Sequence, residues 1–536
     1  MTYNSLCPKD ELKPSNADSR GLADPIWSAT SDMRKTLCEG VFLGLFEYMN
    51  LFHHHFGIDC KLSGSVFSVS DIVGAVPLIH GPSGCAFHHR FTPWRMYAPV
   101  YNVESTNLGE NDVIYGGERK LEEGIVQAYR KYHPSLIVVL PTCVSGLIGD
   151  DISGICHDLR SEINCDIVHV SSEGFSHRGR ELDDGLHAMA NSWTTYQSSA
   201  SEEYELKGCG QEEVAKALVD QLMEEQDVKD NQVNIELNGR CRFSFKRRLE
   251  EMKRIFKEIG IGINATLLGG TVEDIKRASA ACLNVVTHNR IAAKRMNERF
   301  GTGIFKKEPT HNGINGTEQF YIDVASKFGL AGEAEAAMKR EKEQAIENLI
   351  KLKRFFGNYR FAMISHDWMF NPHMVRALVD DLGINLKYFC VNTHQLRRMY
   401  VPSGDDLKSL QAELEQLFSC WGLDSQIIIN PNLKEIMNVA KNVDCMLSSE
   451  PAAIWHGCEI TSTVVDVSSM NYLLFQTSFK GFVEFAHLLA LNIKNVTIPK
   501  ENHSIISRFN YDQIYYPLIN DKSCSASREM WDLWKS

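Results

Sequence analysis

The chain has 536 residues, more than one hydrophobic core accommodates, and divides most simply into three domains of about 150 residues each. It is 43% apolar and 23% charged with a net charge of −12, and it carries no dense Lys/Arg stripe, which argues against nucleic acid as a ligand. The longest apolar stretches, such as FVEFAHLLAL (482–491), are too short and interrupted to span a bilayer. The opening MTYNSLCPKDELK lacks the basic-then-apolar layout of a signal peptide, so a cytoplasmic location and no membrane partner are expected.

Residues 1–75 read as an N-terminal helical segment, amphipathic around Met33–Phe56. His53, His54 and His55 fall at its end, but successive helix residues point in different directions and cannot converge on one ion. From Val76 a strand–helix alternation begins: VPLIH a buried strand, GERKLEEGIVQAYRKY a helix, SLIVVLP a second strand, IGDDISGICHDLRSEI a helix, DIVHVSS a third strand. Continuous apolar runs between helices indicate parallel βαβ units, whose ligands bind at the carboxyl ends of the strands. The polar, acidic stretch 196–231 reads as a helical insertion or linker. The alternation resumes with QVNIEL, FKRRLEEMKRIFKEIG, INATLLGG, TVEDIKRASA and CLNVVTH. After a charged helical spacer, a third set runs from YRFAMIS to VDCMLSS. The fold class is therefore α/β, with three doubly wound Rossmann-like modules over 76–230, 231–355 and 356–536. No GxxxxGK[ST] occurs and no strand leads into GxGxxG, so the usual phosphate cradle is lacking.

Fifteen cysteines in a reducing compartment are thiols rather than disulfides, and most are expected to be small buried apolar residues. Cys156, Cys165, Cys390 and Cys445, in or beside apolar runs, fit that description. Three others lie in loops: Cys60 ahead of the first strand, Cys85 in IHGPSGCAF just after it, and Cys143 in VVLPTCVSGLIGDD after the next. Three thiolates do not close a zinc site, which takes four ligands and often CxxC pairs. A nucleophilic Cys85 with His88 or His89 as base leaves Cys60 and Cys143 unexplained. An iron–sulfur cluster completed by a second subunit accounts for all three, with buried structural thiols as the competing reading.

The succession Cys60, HGPSGC, NLGENDVIYGGERKLEEGI, PTCVSGLIGDDI and SSEGF resembles the nitrogenase component 1 superfamily, in particular its alpha-type subunits, over essentially the whole chain. The resemblance implies that Cys60, Cys85 and Cys143 hold an electron-entry cluster, P-cluster-like or [4Fe-4S], at the interface with a homologous beta-type subunit or a second copy. It implies electron delivery by a separate, ATP-dependent iron protein. It also implies a second, larger iron–sulfur metallocluster deeper in the subunit. Aligned on Leu283–Val286, His288 takes the position of the family's cysteine ligand, with Cys282 at the strand's start. His187 in GLHAMAN matches a family histidine near that cofactor and is a candidate proton donor. Arg90 and Arg95 would place positive charge near an anionic cofactor. The family's histidine ligand in the third module aligns with Ser468 or Ser469, and EPAAIWHGC nearby carries His456 and Cys458. That departure directs the reading away from dinitrogen: a nitrogenase-like reductase of another small substrate, such as the methylthio-alkane reductases. The alternatives are a non-catalytic scaffold resembling cofactor-assembly proteins, and a tetrapyrrole reductive cyclase.

Overall fold

A strand covered on both faces by helices must be apolar along its length, and AVPLIH and LIVVLP meet that demand. They form β1 (Ala75–His80) and β3 (Leu136–Pro141), the latter buried at every position. The computed structural model describes residues 61–95, 102–173, 210–235, 242–267, 269–286, 290–308, 310–366, 372–392, 404–448, 463–467 and 478–496. Helix α1 (Lys61–Asp71) precedes β1 and α2 (Ser83–Arg95) follows it. Next come β2 (Glu104–Ser105), α3 (Glu110–Tyr115), α4 (Glu118–Tyr132), β3, α5 (Cys143–Ile148), α6 (Ile152–Arg160) and β4 (Asp166–His169). Helix α4 buries Leu121, Gly124, Ile125 and Ala128, one face at helical spacing, and ends where His133 turns left-handed at φ 45°. The sheet order is β2-β1-β3-β4, all parallel.

The second sheet contains β5 (Lys229–Ile235), β6 (Gly262–Thr266), β7 (Ala281–Val286) and β8 (Gly303–Lys306) in the order β6-β5-β7-β8. Helices Gly313–Ser326 and Ala331–Phe356 lead into the third sheet. Its strands are β9 (Arg360–His366), β10 (Asn385–Asn392), β11 (Gln426–Ile429), β12 (Cys445–Ser448) and β13 (Thr463–Asp466), in the order β11-β10-β9-β12-β13. Every pairing is parallel, which gives the three wound sheets anticipated from the apolar runs. One apolar cluster runs from Val233 and Phe256 through Tyr321 to Phe361 and Phe485, so the second and third sheets share a core.

The stretch read as an acidic insertion (196–231) contains a core helix, Gly210–Gln221, and runs on into the start of β5. The helix buries Val214, Leu218 and Val219 in the same cluster as Leu62, Val66 and Val69 of α1. Contact with α1 is close: a Cβ on Gly210 would lie 1.9 Å from the Lys61 carbonyl oxygen. The buried Lys61 ammonium pairs there with Glu213 at 3.3 Å. Its acidic residues thus occupy the helix flanks, where Asp220 meets Arg295 at 2.6 Å. Among the described residues no helix is long and apolar enough to cross a membrane.

Three buried asparagines cross the second sheet. Asn264 donates to Asn234 Oδ1 at 3.0 Å, and Asn234 donates to Asn284 Oδ1 and to the Ala278 carbonyl, each at 2.8 Å. A slip of one residue on any of β5, β6 or β7 would bury unpaired amides, so the ladder fixes register. Asn234→Ala is expected to destabilise the fold by about 1–3 kcal/mol, because it removes the donor to the buried Asn284 Oδ1, while Asn264 keeps the Arg277 carbonyl at 3.1 Å. A lowered urea midpoint would record this loss.

Candidate metal centre

Strands β1 and β3 are neighbours in register, His80 opposite Pro141, and the strand order reverses between them. In a doubly wound sheet that reversal opens a crevice at the carboxyl ends. Both connections from those ends carry a cysteine. Cys85 is the third residue of α2 and half-buried; Cys143 is the first residue of α5 and exposed. The first turn of a helix offers backbone N–H groups that lack intrahelical acceptors. Bulky apolar side chains stand in solvent on the two cysteine-bearing helices and on α3, which packs against α5: Phe87 on α2, Ile114 and Tyr115 on α3, and Leu147 on α5 are 66%, 69%, 84% and 77% exposed. Leu147 lies one helical turn from Cys143 and shares its face.

A buried polar network ties these loops together. The His80 imidazole is fully buried at the end of β1, with Nδ1 3.0 Å from Thr106 Oγ1 and Nε2 2.9 Å from Asp150 Oδ2. The other Asp150 oxygen accepts the Gly117 N–H at 2.8 Å. Burial lowers the His80 pKa, against the opposing pull of Asp150. The His80 carbonyl accepts the Ser145 hydroxyl at 2.7 Å and the Thr142 N–H at 3.1 Å. HGPSGC, YGGERKL and GLIGDD, separate in the sequence, therefore meet around one imidazole. Two glycines make the approach possible. A Cβ on Gly81 would lie 2.3 Å from the Thr142 side chain, and one on Gly117 would lie 2.7 Å from Asp150 Oδ2.

The remaining thiols sort by burial. Desolvation pushes Cys156, Cys390 and Cys445 up to about 12 and Cys165 to about 11, which keeps them protonated and unsuited to hold a metal. Cys282 is half-buried at the amino end of β7, its Sγ 3.2 Å from the Gln232 carbonyl, at the opposite end of the strand from the carboxyl-end loops. Cys60, His187 and His288 lie outside the described residues, as do His53–His55, His456, Cys458, Ser468 and Ser469. Arg90 and Arg95 fall on α2. Among the described residues no three His, Cys, Asp or Glu side chains form a group able to hold a metal ion. Cys60 immediately precedes α1, whose Ser63 hydroxyl lies 3.4 Å from His89 Nδ1 on α2. The His80–Asp150 couple was not legible in the sequence; the GLIGDD and HGP strings were its only trace.

The nitrogenase component 1 type oxidoreductase family matches residues 60–492. The nitrogenase iron–molybdenum cofactor biosynthesis protein NifE of Methanococcus maripaludis is 27% identical over 304 residues, 54% of this chain and 55% of that protein. The nitrogenase molybdenum–iron protein alpha chain of Methanosarcina barkeri is 27% identical over 314 residues, 55% of this chain and 53% of its own. The chain thus spans about half the length of the curated relatives it matches. The solved structure of nitrogenase Cp1 at pH 6.5 superposes with a TM-score of 0.57 at 20% identity, covering 83% of this chain and 90% of the other, a likeness of fold.

On the helix that carries Cys85, burial closes off His89 as a base. His89 is 4% exposed, and desolvation, with the neighbouring His88 adding to it, lowers its pKa from 6.5 to about 3. The folded value lies below the unfolded one, so the unfolded chain takes up the proton first. The contribution to stability is complete above pH 6.5 and is lost as pH falls toward about 3. Urea midpoints of the wild type are expected to fall between pH 7 and pH 5, with a slope from His89 of at most about 1.4 kcal/mol per pH unit. His89→Gln should flatten that part of the slope.

Proposed function

The chain belongs to the nitrogenase component 1 type oxidoreductase family as an alpha-type member, and on that premise we propose that it is an electron-accepting subunit of a nitrogenase-like reductase. Cys60, Cys85 and Cys143 would hold an iron–sulfur cluster, and the observation that carries this reading is the pair Cys85 and Cys143 at adjoining carboxyl ends where the strand order reverses. The donor set fits the group: thiolates are soft ligands that suit iron–sulfur clusters, and a Cβ on Gly84 would meet nothing within 4 Å, leaving room beside Cys85. When bound, the cluster supplies one-electron transfer from an ATP-dependent iron protein toward a deeper site.

The chain's own residues do the rest. Phe87, Ile114, Tyr115 and Leu147 present the apolar surface that a homologous beta-type subunit, or a second copy, would cover while supplying the remaining ligands. His288 and His187, with Arg90 and Arg95, are the candidates for a second metallocluster and its proton supply, and the substrate is a small molecule other than dinitrogen. A second reading is favoured by the similarity to a cofactor biosynthesis protein: a scaffold on which a metallocluster is assembled, with no turnover of its own.

Anaerobic co-purification with the partner chain, followed by iron and sulfide counts and EPR, tests the proposal. Cys143→Ala is expected to abolish the interface-cluster signal; a retained signal overturns the ligand assignment. Iron for only one small cluster would remove the deeper site. Iron for two clusters without substrate reduction in the presence of the iron protein would select the scaffold.

A further inference from the structure

Two thiols on separate loops can hold one metal group only if the loops keep a fixed separation, and neither Cys85 nor Cys143 lies on a strand that would enforce it. We propose that His80 and Asp150 are a positioning couple that locks the Cys85 loop to the Cys143 loop, an inference resting on the cluster reading above. His80 ends β1 and leads through Gly81 into the Cys85 loop; Asp150 follows the helix that Cys143 begins. Their 2.9 Å contact joins the two connections. The backbone repeats the link, because Thr142, directly ahead of Cys143, and Ser145, within its helix, both donate to the His80 carbonyl.

Donor counting and burial together describe the ring. Asp150 only accepts, so Nε2 carries the proton. Burial favours the neutral imidazole, whose Nδ1 takes the Thr106 hydroxyl hydrogen while Thr106 Oγ1 accepts the Gly81 N–H at 3.1 Å. In this arrangement the neutral imidazole, the carboxylate, the hydroxyl and the Gly117 N–H are all matched. A buried carboxylate–imidazole contact is a poor source of stability, since desolvation offsets its attraction. It does specify one geometry, and this one sits where a shift would separate two candidate ligands. Neighbours that orient metal ligands commonly change metal affinity 10–100-fold when removed.

The test uses the full-length chain with its partner and three near-isosteric variants. Asp150→Asn sets an amide N–H against either His80 Nε2–H or the Gly117 N–H. Thr106→Val removes the hydroxyl that serves Nδ1, and Thr106→Ser restores it. Two readouts are taken: the rate at which dibromobimane bridges Cys85 to Cys143 in the metal-free chain, mapped by peptide mass, and iron retained against a chelator together with the EPR line shape. Asp150→Asn and Thr106→Val are expected to slow bridging and lower iron retention about 10-fold, with altered EPR and near-native circular dichroism, while Thr106→Ser stays at wild-type values. Bridging and retention at wild-type levels in Asp150→Asn overturn the proposal, and so does equal impairment of Thr106→Ser and Thr106→Val. If Asp150→Asn fails to fold, the Thr106 pair decides. A wild type that bridges but binds no iron sinks the cluster reading and leaves the loop coupling standing; one that does not bridge sinks the coupling itself.

Discussion

Parallel pairing of β1 with β3 is the constraint from which the rest of the first module follows. Because the strands run in one direction, both must leave the sheet at the same end, about 4.8 Å apart. Because β2 lies outside β1 and β4 outside β3, the connections diverge to opposite sides and leave a crevice between them. An antiparallel pair would have put one cysteine at each end of the sheet. The register that aligns His80 with Pro141 thus decides that Cys85 and Cys143 open on the same space.

That crevice carries an energetic liability, since strand ends in a buried sheet leave polar groups without ladder partners. Here the liability is met by side chains from two connections: Thr106 after β2, and Ser145 and Asp150 after β3. The glycines follow from this. Gly81 and Gly117 are where the backbone passes within a Cβ radius of Thr142 and Asp150, so a larger residue would force the loops apart. The motif letters that mark the family are, in physical terms, the solution to packing one imidazole between two connections.

How much of this was legible depends on the range over which each signal acts. Long apolar runs such as LIVVLP declared their strands, because burial on both faces shows in every residue. β2, of two half-buried residues, and β8, Gly303–Lys306, are too short to show a period. The helix Gly210–Gln221 was hidden by composition: its charges marked the region as acidic, while Val214, Leu218 and Leu222 at helical spacing carried the core signal. The placement of Cys85 and Cys143 just beyond strand ends was readable from the sequence, but both fall in the first turn of a helix rather than in a loop. The His80–Asp150 contact joins residues 70 apart and has no local signature.

The topology of the first module recurs, and this bears on where a second site would form. Strand order reverses between β5 and β7 and again between β9 and β12, so each sheet offers a carboxyl-end crevice of the same kind. β7 ends at Val286, two residues ahead of His288 in the sequence, which puts that candidate ligand on the connection the rule selects, whereas Cys282 belongs to the other end of the strand. β12 ends at Ser448, and His456 and Cys458 follow it in sequence. A reductase and an assembly scaffold therefore make the same demand on the first module and diverge only in the later connections. A reductase needs a metallocluster held there through turnover; a scaffold needs it held loosely enough to leave. Replacing His288 should therefore cost the deeper metal under either reading and spare the iron retained at the first crevice.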